Sequence, residues 1–326
     1  MSLDADTIVD RRRMRRKLVF WRVFAVLLAI AAVMGLAWTL SSESRLAGGA
    51  SGAIARVNIS GIIRNDTERS ESFDRLAKSS VKAVIVHIDS PGGTAAGAEQ
   101  LHDSIRKVAA KKPTVVVVDG LAASGGYIAA LAVDHIIAQS NSIVGSIGVI
   151  VQFPNFAEVM KTIGVKVEEV KSAPLKASPN GFEPTSPEAR AALEGLVKDS
   201  YAWFKDLVKE RRKIEGDLLE KVSDGRVFTG RQAMELKLVD ALGNEQTAID
   251  WLAKEKGIDA KTPVRDWKLK PRLTDLSALH LAAAAAFDAV GLTAVARRME
   301  TWGAVQAFER LNLDGLLAVW HPSAAN

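Results

Sequence analysis

Apolar and polar positions from residue 54 onward fall into alternating strand-like and helix-like stretches. "IARVNISGII" (54–63) alternates in the manner of a short strand. A polar, helix-compatible stretch follows through Ser80. "VKAVIVHIDS" (81–90) and "PTVVVVDG" (113–120) are nearly continuous runs of β-branched residues, the pattern of strands buried on both faces. A helical pattern covers 95–110 between them, and another covers about 125–132. "HIIAQS" (135–140) and "VKVEEVK" (165–171) are further strand signals that bracket a glycine-rich turn, "SIVGSIGVI". Helical sequence runs from Pro187 to Glu215, and 224–257 adds a short strand and two helices. This alternation predicts βαβ units and a mostly parallel sheet covered by helices. The Ala-rich tail from about Pro271 reads as one or two amphipathic helices.

A different pattern precedes this domain. "RRRMRRK" (11–17) holds six basic residues in seven, and the segment 18–40 that follows carries no charge from Val23 to Leu40. That is close to the roughly 20 residues a helix needs to cross a bilayer, with Arg22 near enough to the end to snorkel. The basic block predicts a cytoplasmic N-terminus and a single-pass anchor, with everything after residue 41 outside. A cleaved signal peptide is the competing reading, which the length of the apolar segment disfavours. Residues 41–53, rich in Ser, Gly and Ala, read as a linker. The expected organisation is thus a tail (1–17), an anchor (18–40), a linker (41–53), a catalytic domain (54–270) and a helical extension (271–326).

Composition changes this picture little. The net charge of +5 invites a nucleic-acid reading, but much of it sits in the one basic block, so no nucleic-acid partner is expected. The absence of cysteine excludes disulfides, cysteine nucleophiles and thiolate zinc sites.

Two strand-to-helix junctions carry candidate chemistry. "IDSPGGTAAGAE" (88–99) places Gly92 and Gly93 at the carboxyl end of a buried strand, where their amides would be free to face a negative charge. The spacing fits neither a dinucleotide fingerprint nor a Walker motif, and a tight turn is the bland alternative. "DGLAASGGYIAALAVD" (119–134) places Ser124 at the next junction, so that a hydroxyl and a pair of amides share one sheet edge, the parts of an acyl-transfer site. The competing reading makes Ser124 only a helix cap. None of the five histidines has a triad signature. A lysine serves as base when burial keeps it neutral, and the candidate is Lys176 in "VKSAPLKASPNGFEPTSPE", whereas Lys166 and Lys171 lie on strand-like sequence.

"DSPGG", "AASGGYIAALAVDHIIAQSNSIVGSIGV", the Lys176 loop and "DGRVFTGRQAMELKLVDALG" together resemble the signal peptide peptidase A family, Ser/Lys proteases of the ClpP/crotonase-like fold, over about residues 54–255. The resemblance implies an α/β fold, a parallel sheet with flanking helices built from repeated ββα units, behind one transmembrane helix. It implies Ser124 as nucleophile, Lys176 as general base, an oxyanion hole from Gly93 and the Ser124 amide, and Ser146 as the residue that orients the lysine. No metal or cofactor is implied. Because the family's short form draws serine and lysine from neighbouring subunits, a homo-oligomer with shared sites is implied, on the bacterial inner membrane with its catalytic domain extracytoplasmic. Remnant signal peptides or other apolar peptides are the expected substrates. The Lys176 segment is only loosely like the family's, and the extension after residue 271 has no counterpart in it. Two other classes remain: a non-catalytic oligomeric membrane scaffold, which would need neither Ser124 nor Lys176, and a crotonase-like acyl-CoA enzyme, which an external location disfavours.

Overall fold

The computed structural model describes residues 17, 52–269 and 317–319. The expected cytoplasmic tail apart from Lys17, the anchor, nearly all of the linker and most of the helical extension lie outside the described residues. Among those described, no helix is long and apolar enough to cross a membrane.

Three parallel strands form the centre: β1 (Ile54–Ile63), β2 (Ala83–Thr94) and β3 (Thr114–Ala123). Val84, Ile85, Val86, Val115, Val116 and Val117 are fully buried, as β-branched runs covered on both faces should be. On one face Ile85, Val115 and Val117 pack against Ala248 and Leu252 of the helix Glu245–Lys256, here α8. Helices α1 (Thr67–Lys78), α2 (Ala95–Ala109) and α3 (Gly125–Ala130) pack in succession, and α2 and α3 both lie on β2.

The caps explain where these helices begin. Asp66 accepts from the Arg69 amide at 2.9 Å to open α1, and Thr94 accepts from the Gly97 amide at 3.2 Å to open α2. The long α5 (Pro187–Arg212) starts with Ser186 as cap and Pro187 at its first position, and stops at Lys213 in the left-handed region. Between α3 and α5 come β4 (Ile136–Ala138), β5 (Ile143–Gly145) and α4 (Ala157–Thr162). After α5 follow α6 (Asp217–Val222), β6 (Val227–Thr229), α7 (Gly230–Glu235), β7 (Ala241–Leu242), α8 and β8 (Val264–Asp266). The Arg212 guanidinium clasps both oxygens of Asp240, at 3.0 and 2.8 Å, and Asp240 also accepts from the Ile136 amide at 2.7 Å. This clasp ties the end of α5 to the start of β4. Nearby, the buried Tyr127 hydroxyl donates to Leu238 O at 2.8 Å and fixes α3 in place.

The path through the sheet is β6-β5-β3-β2-β1-β8, with β4 paired to β3 and β7. Four features differ from the sequence reading. The sheet is mixed: β6 runs antiparallel to β5, and β9 (Leu317–Val319) runs antiparallel to β2. The central strands alternate one to one with helices instead of forming repeated ββα units. Residues 165–171 form no strand: no described strand pairs with them, and Val165, Val167 and Val170 are all exposed. A fourth difference lies in the tail, where residues 317–319 form a strand instead of helix.

Candidate active site

The carboxyl end of β2 is shaped by close backbone approaches. Ser90 Oγ donates to Gly61 O at 2.6 Å and accepts from the Gly92 amide at 3.1 Å, which pins a bulge in β1 to the turn in β2. Gly92 sits at φ +102°, a conformation that glycine alone adopts without strain. At Gly93 the requirement is steric: a Cβ there would stand 1.7 Å from Ile63 O, so no side chain fits while β1 and β2 remain paired.

One strand over, β3 ends at Ala123 and the chain turns into α3 through Ser124. Its φ of 53° and ψ of −115° lie outside the regions that L-residues favour, a distortion costing on the order of 1–3 kcal/mol. Ser124 stands at the N-cap position, yet its side chain caps nothing. Its Oγ lies 3.5 Å from Gly148 O, too far for a firm hydrogen bond, so the hydroxyl is uncommitted although the residue is 1% exposed. The capping role that competed with catalysis is therefore not what holds this serine in place. Gly126 permits the close seat of α3, since a Cβ there would meet Ser90 O at 2.6 Å.

The register Ser90↔Ala122 brings the two junctions to one edge, and Ala123↔Gly145 makes Ser124 and Ser146 the next residues on adjacent strands. Gly93, Ser124 and Ser146 are thus gathered at the same end of the sheet. Ser146 has φ 52°, its amide donates to Arg226 O at 2.8 Å, and its hydroxyl has no partner among the described residues.

Two expected anion donors are already engaged. The Ser124 amide donates to Gly145 O at 2.8 Å, and the Gly92 amide donates to Ser90 Oγ. The next amide along, that of Gly125 in the first turn of α3, has no acceptor among the described residues. Sequence reasoning missed this because the pairing of β3 with β5, which occupies the Ser124 amide, depends on a three-residue strand hidden in what reads as a glycine-rich turn.

Lys176 stands apart. It lies in an exposed turn in which its amide donates to Ala173 O at 3.0 Å, and its ammonium makes no hydrogen bond or ion pair with a described residue. The lysine that is tied down is Lys171, 2.6 Å from Glu169 and 2.7 Å from Glu183. Those hydrogen bonds, Glu169 first, push its pKa up and keep it an ammonium, so Lys171 is unsuited to accept a proton. The histidines near the sheet are likewise occupied elsewhere. His87 lies between Asp119 and Glu245, His135 stacks on Trp251, and His102 hydrogen-bonds Asp103. None is bonded to Ser124.

Lys176 belongs to an arm, residues 150–186, that presents apolar side chains to solvent. Phe156, Val159, Ile163, Val170, Leu175 and Phe182 are exposed, and α4 buries none of its residues. An open cavity of about 340 Å³ lies along the arm, lined by Met160, Val165, Val167 and Phe182 among others, away from Ser124. These exposed apolar residues all fall within this one stretch of the chain.

Comparison with known proteins places these features. A model of peptidase family S49 matches residues 106–259. A provisionally named protease of Synechocystis sp. is 34% identical over 208 residues, covering 63% of this chain and 75% of that protein. Protease 4 of Haemophilus influenzae is 31% identical over 67% of this chain, which spans only 37% of that longer protein. A provisionally named signal peptide peptidase of Enterococcus faecium is 29% identical, over 69% of this chain and 70% of its own length. Among solved structures, a ClpP1 mutant from Listeria monocytogenes matches 58% of this chain and 91% of its own, at 17% identity and a TM-score of 0.38.

Proposed function

The chain belongs to peptidase family S49 and is a serine-type peptidase, and from that premise we propose that it is a membrane-anchored endopeptidase in which Ser124 is the nucleophile and Lys176 of a neighbouring copy the general base. The observation that carries the reading is the state of Ser124: a hydroxyl held at positive φ, with no close hydrogen bond among the described residues, at the end of the sheet where Gly93 lies in the adjacent strand β2.

In this mechanism Ser124 Oγ adds to the peptide carbonyl carbon while its proton passes to the neutral Lys176 amine. The oxyanion is held by the amides of Gly93 and Gly125, the latter replacing the engaged Ser124 amide. Collapse breaks the C–N bond as Lys176 returns the proton to the departing amine. Water then adds to the acyl carbon, giving a proton to Lys176, and as the ester bond to Ser124 breaks Lys176 returns that proton to Ser124 Oγ, freeing the acid and restoring both groups. Ser146 positions the incoming lysine through its unpartnered hydroxyl.

Supply of Lys176 from a second copy is supported by its exposure within its own chain and by the apolar arm around it, a surface suited to burial between like subunits. The uncharged segment after "RRRMRRK" supports a single-pass anchor with the catalytic domain outside the cytoplasm. The substrates proposed are remnant signal peptides or other apolar peptides, bound in the ClpP/crotonase-like manner that the motifs resemble.

The test is hydrolysis by the full chain of two fluorogenic peptides, one aliphatic and one of equal length carrying Asp and Lys, with a fluorophosphonate as inhibitor. The aliphatic peptide is expected to turn over at least about tenfold faster, and the label is expected on Ser124. Equal turnover, or a label elsewhere, would overturn the reading.

A further inference from the structure

We propose that Arg64 is a carboxylate receptor at the same end of the sheet as Ser124, and that its Nε and Nη2 take the free carboxyl terminus of a bound peptide. Both nitrogens are buried without a hydrogen-bond partner, the only arginine nitrogens of which this is true among the described residues. A guanidinium taken from water without a counter-charge is costly, so buried arginines are normally paired. Arg56 follows that rule, gripping the two oxygens of Glu245 through Nε at 2.5 Å and Nη2 at 2.6 Å. The two nitrogens left over on Arg64 are the same pair, the side-on fork whose spacing matches a carboxylate. Arg64 as a whole is half-buried, so a change of rotamer presents the fork to a ligand.

Backbone packing fixes where this fork is based. Ile63, the residue before Arg64, pairs with Gly93, the proposed oxyanion donor. A Cβ on Gly97 would stand 2.5 Å from the Arg64 carbonyl carbon, so the first turn of α2 is seated directly on Arg64. Arg69 Nη2 donates to Arg64 O at 2.5 Å and braces the same peptide group, while the Asp66 carboxylate between them in sequence is turned to the Arg69 amide. Arg64 thus follows the end of β1, one strand from Gly93 and two from Ser124. The identity of the ligand rests on the peptidase reading. An apolar peptide always carries one planar, two-oxygen anion, its terminal carboxylate, and a peptide released by an earlier cleavage bears it free. Strands lie about 4.8 Å apart, so the span from Ser124 to Arg64 with its side chain corresponds to roughly three to five residues of extended peptide. The enzyme then cuts a short, fixed distance from a free carboxyl end, and the pairing strengthens binding without speeding the bound peptide's reaction.

The test uses the full chain and three peptides of one aliphatic sequence: the free acid, its C-terminal amide, and an amide with Glu as the last residue but one. KM and kcat are measured for each, and the same peptides are titrated against full-length Ser124→Ala, which reads binding without hydrolysis. Amidation is expected to raise KM and Kd about tenfold at nearly unchanged kcat, as loss of a charge-assisted pair does. Cleavage of the acid is expected within about five residues of its end. Arg64→Gln should bind acid and amide alike, and Arg64→Lys, which keeps the charge without the fork, should recover part of the difference. Acid and amide bound equally by Ser124→Ala would overturn the receptor and leave the peptidase reading intact. A preference for the acid that survives in Arg64→Gln would place the receptor elsewhere. Recovery of tight binding by the internal Glu would assign the fork to acidic side chains and overturn the terminal carboxylate. A tenfold preference for the acid with no hydrolysis of any peptide would refute the peptidase reading and leave the receptor standing.

Discussion

Ser124→Ala is expected to lower turnover of an aliphatic peptide by about four to six orders of magnitude, as loss of the nucleophile does in serine peptidases, with the folded state nearly undisturbed. The expectation of intact folding comes from what the hydroxyl does not do. It caps no helix, and its nearest acceptor is 3.5 Å away, so its removal strands no partner. Alanine at φ 53° is strained much as serine is, and the backbone bond from this residue to Gly145 O survives the change. Unfolding free energy should therefore stay within about 1 kcal/mol of wild type by denaturant titration. Residual hydrolysis above a hundredth of wild type would place the nucleophile elsewhere. A large loss of stability would mean that Ser124 is structural after all.

The second large effect is that of Lys176→Ala. Loss of a general base costs about two to four orders of magnitude in turnover. Here the loss should come with no change in stability, since Lys176 is exposed and its ammonium has no bonded partner among the described residues. The shape of the pH–rate profile adds a second readout. Loss of the group that carries the proton removes its limb of the profile, so the pH dependence of the residual rate of Lys176→Ala should differ in shape from that of wild type. Lys171→Ala is the useful control. Its ammonium is committed to Glu169 and Glu183, so its loss should loosen the arm locally and leave the pH dependence of the rate in place.

Those contrasts show what the sequence makes legible. The buried strands at 83–94 and 114–123 are plain from their β-branched runs, because a strand covered on both faces needs no alternation. Ser124 stands out in the sequence as a serine between a buried strand and Gly-Gly. The glycines acquire their reasons only in three dimensions: Gly93 avoids Ile63 O and Gly126 avoids Ser90 O, contacts between segments distant in sequence. Short elements stay hidden. β5 is three residues inside a glycine-rich stretch, yet its Gly145 carbonyl occupies the Ser124 amide, while the amide of Gly125 has no acceptor among the described residues. The stretch 165–171 misleads for the opposite reason, since its valines suggest the period of a strand while no described strand pairs with it. β9 was beyond reach, because three residues in an Ala-rich tail carry no periodicity that distinguishes strand from helix.

On the proposed reading, a second copy covers the apolar arm and receives Lys176. The most direct test mixes the two inactive variants, Ser124→Ala and Lys176→Ala, under conditions that allow subunits to exchange. If each site takes its serine from one copy and its lysine from the next, random assembly of equal amounts restores about a quarter of wild-type activity, since one junction in four joins an intact serine to an intact lysine. A mixture no more active than its components, with exchanged assemblies demonstrated, would contradict the account and require Lys176 to reach Ser124 within a single chain or to play no part.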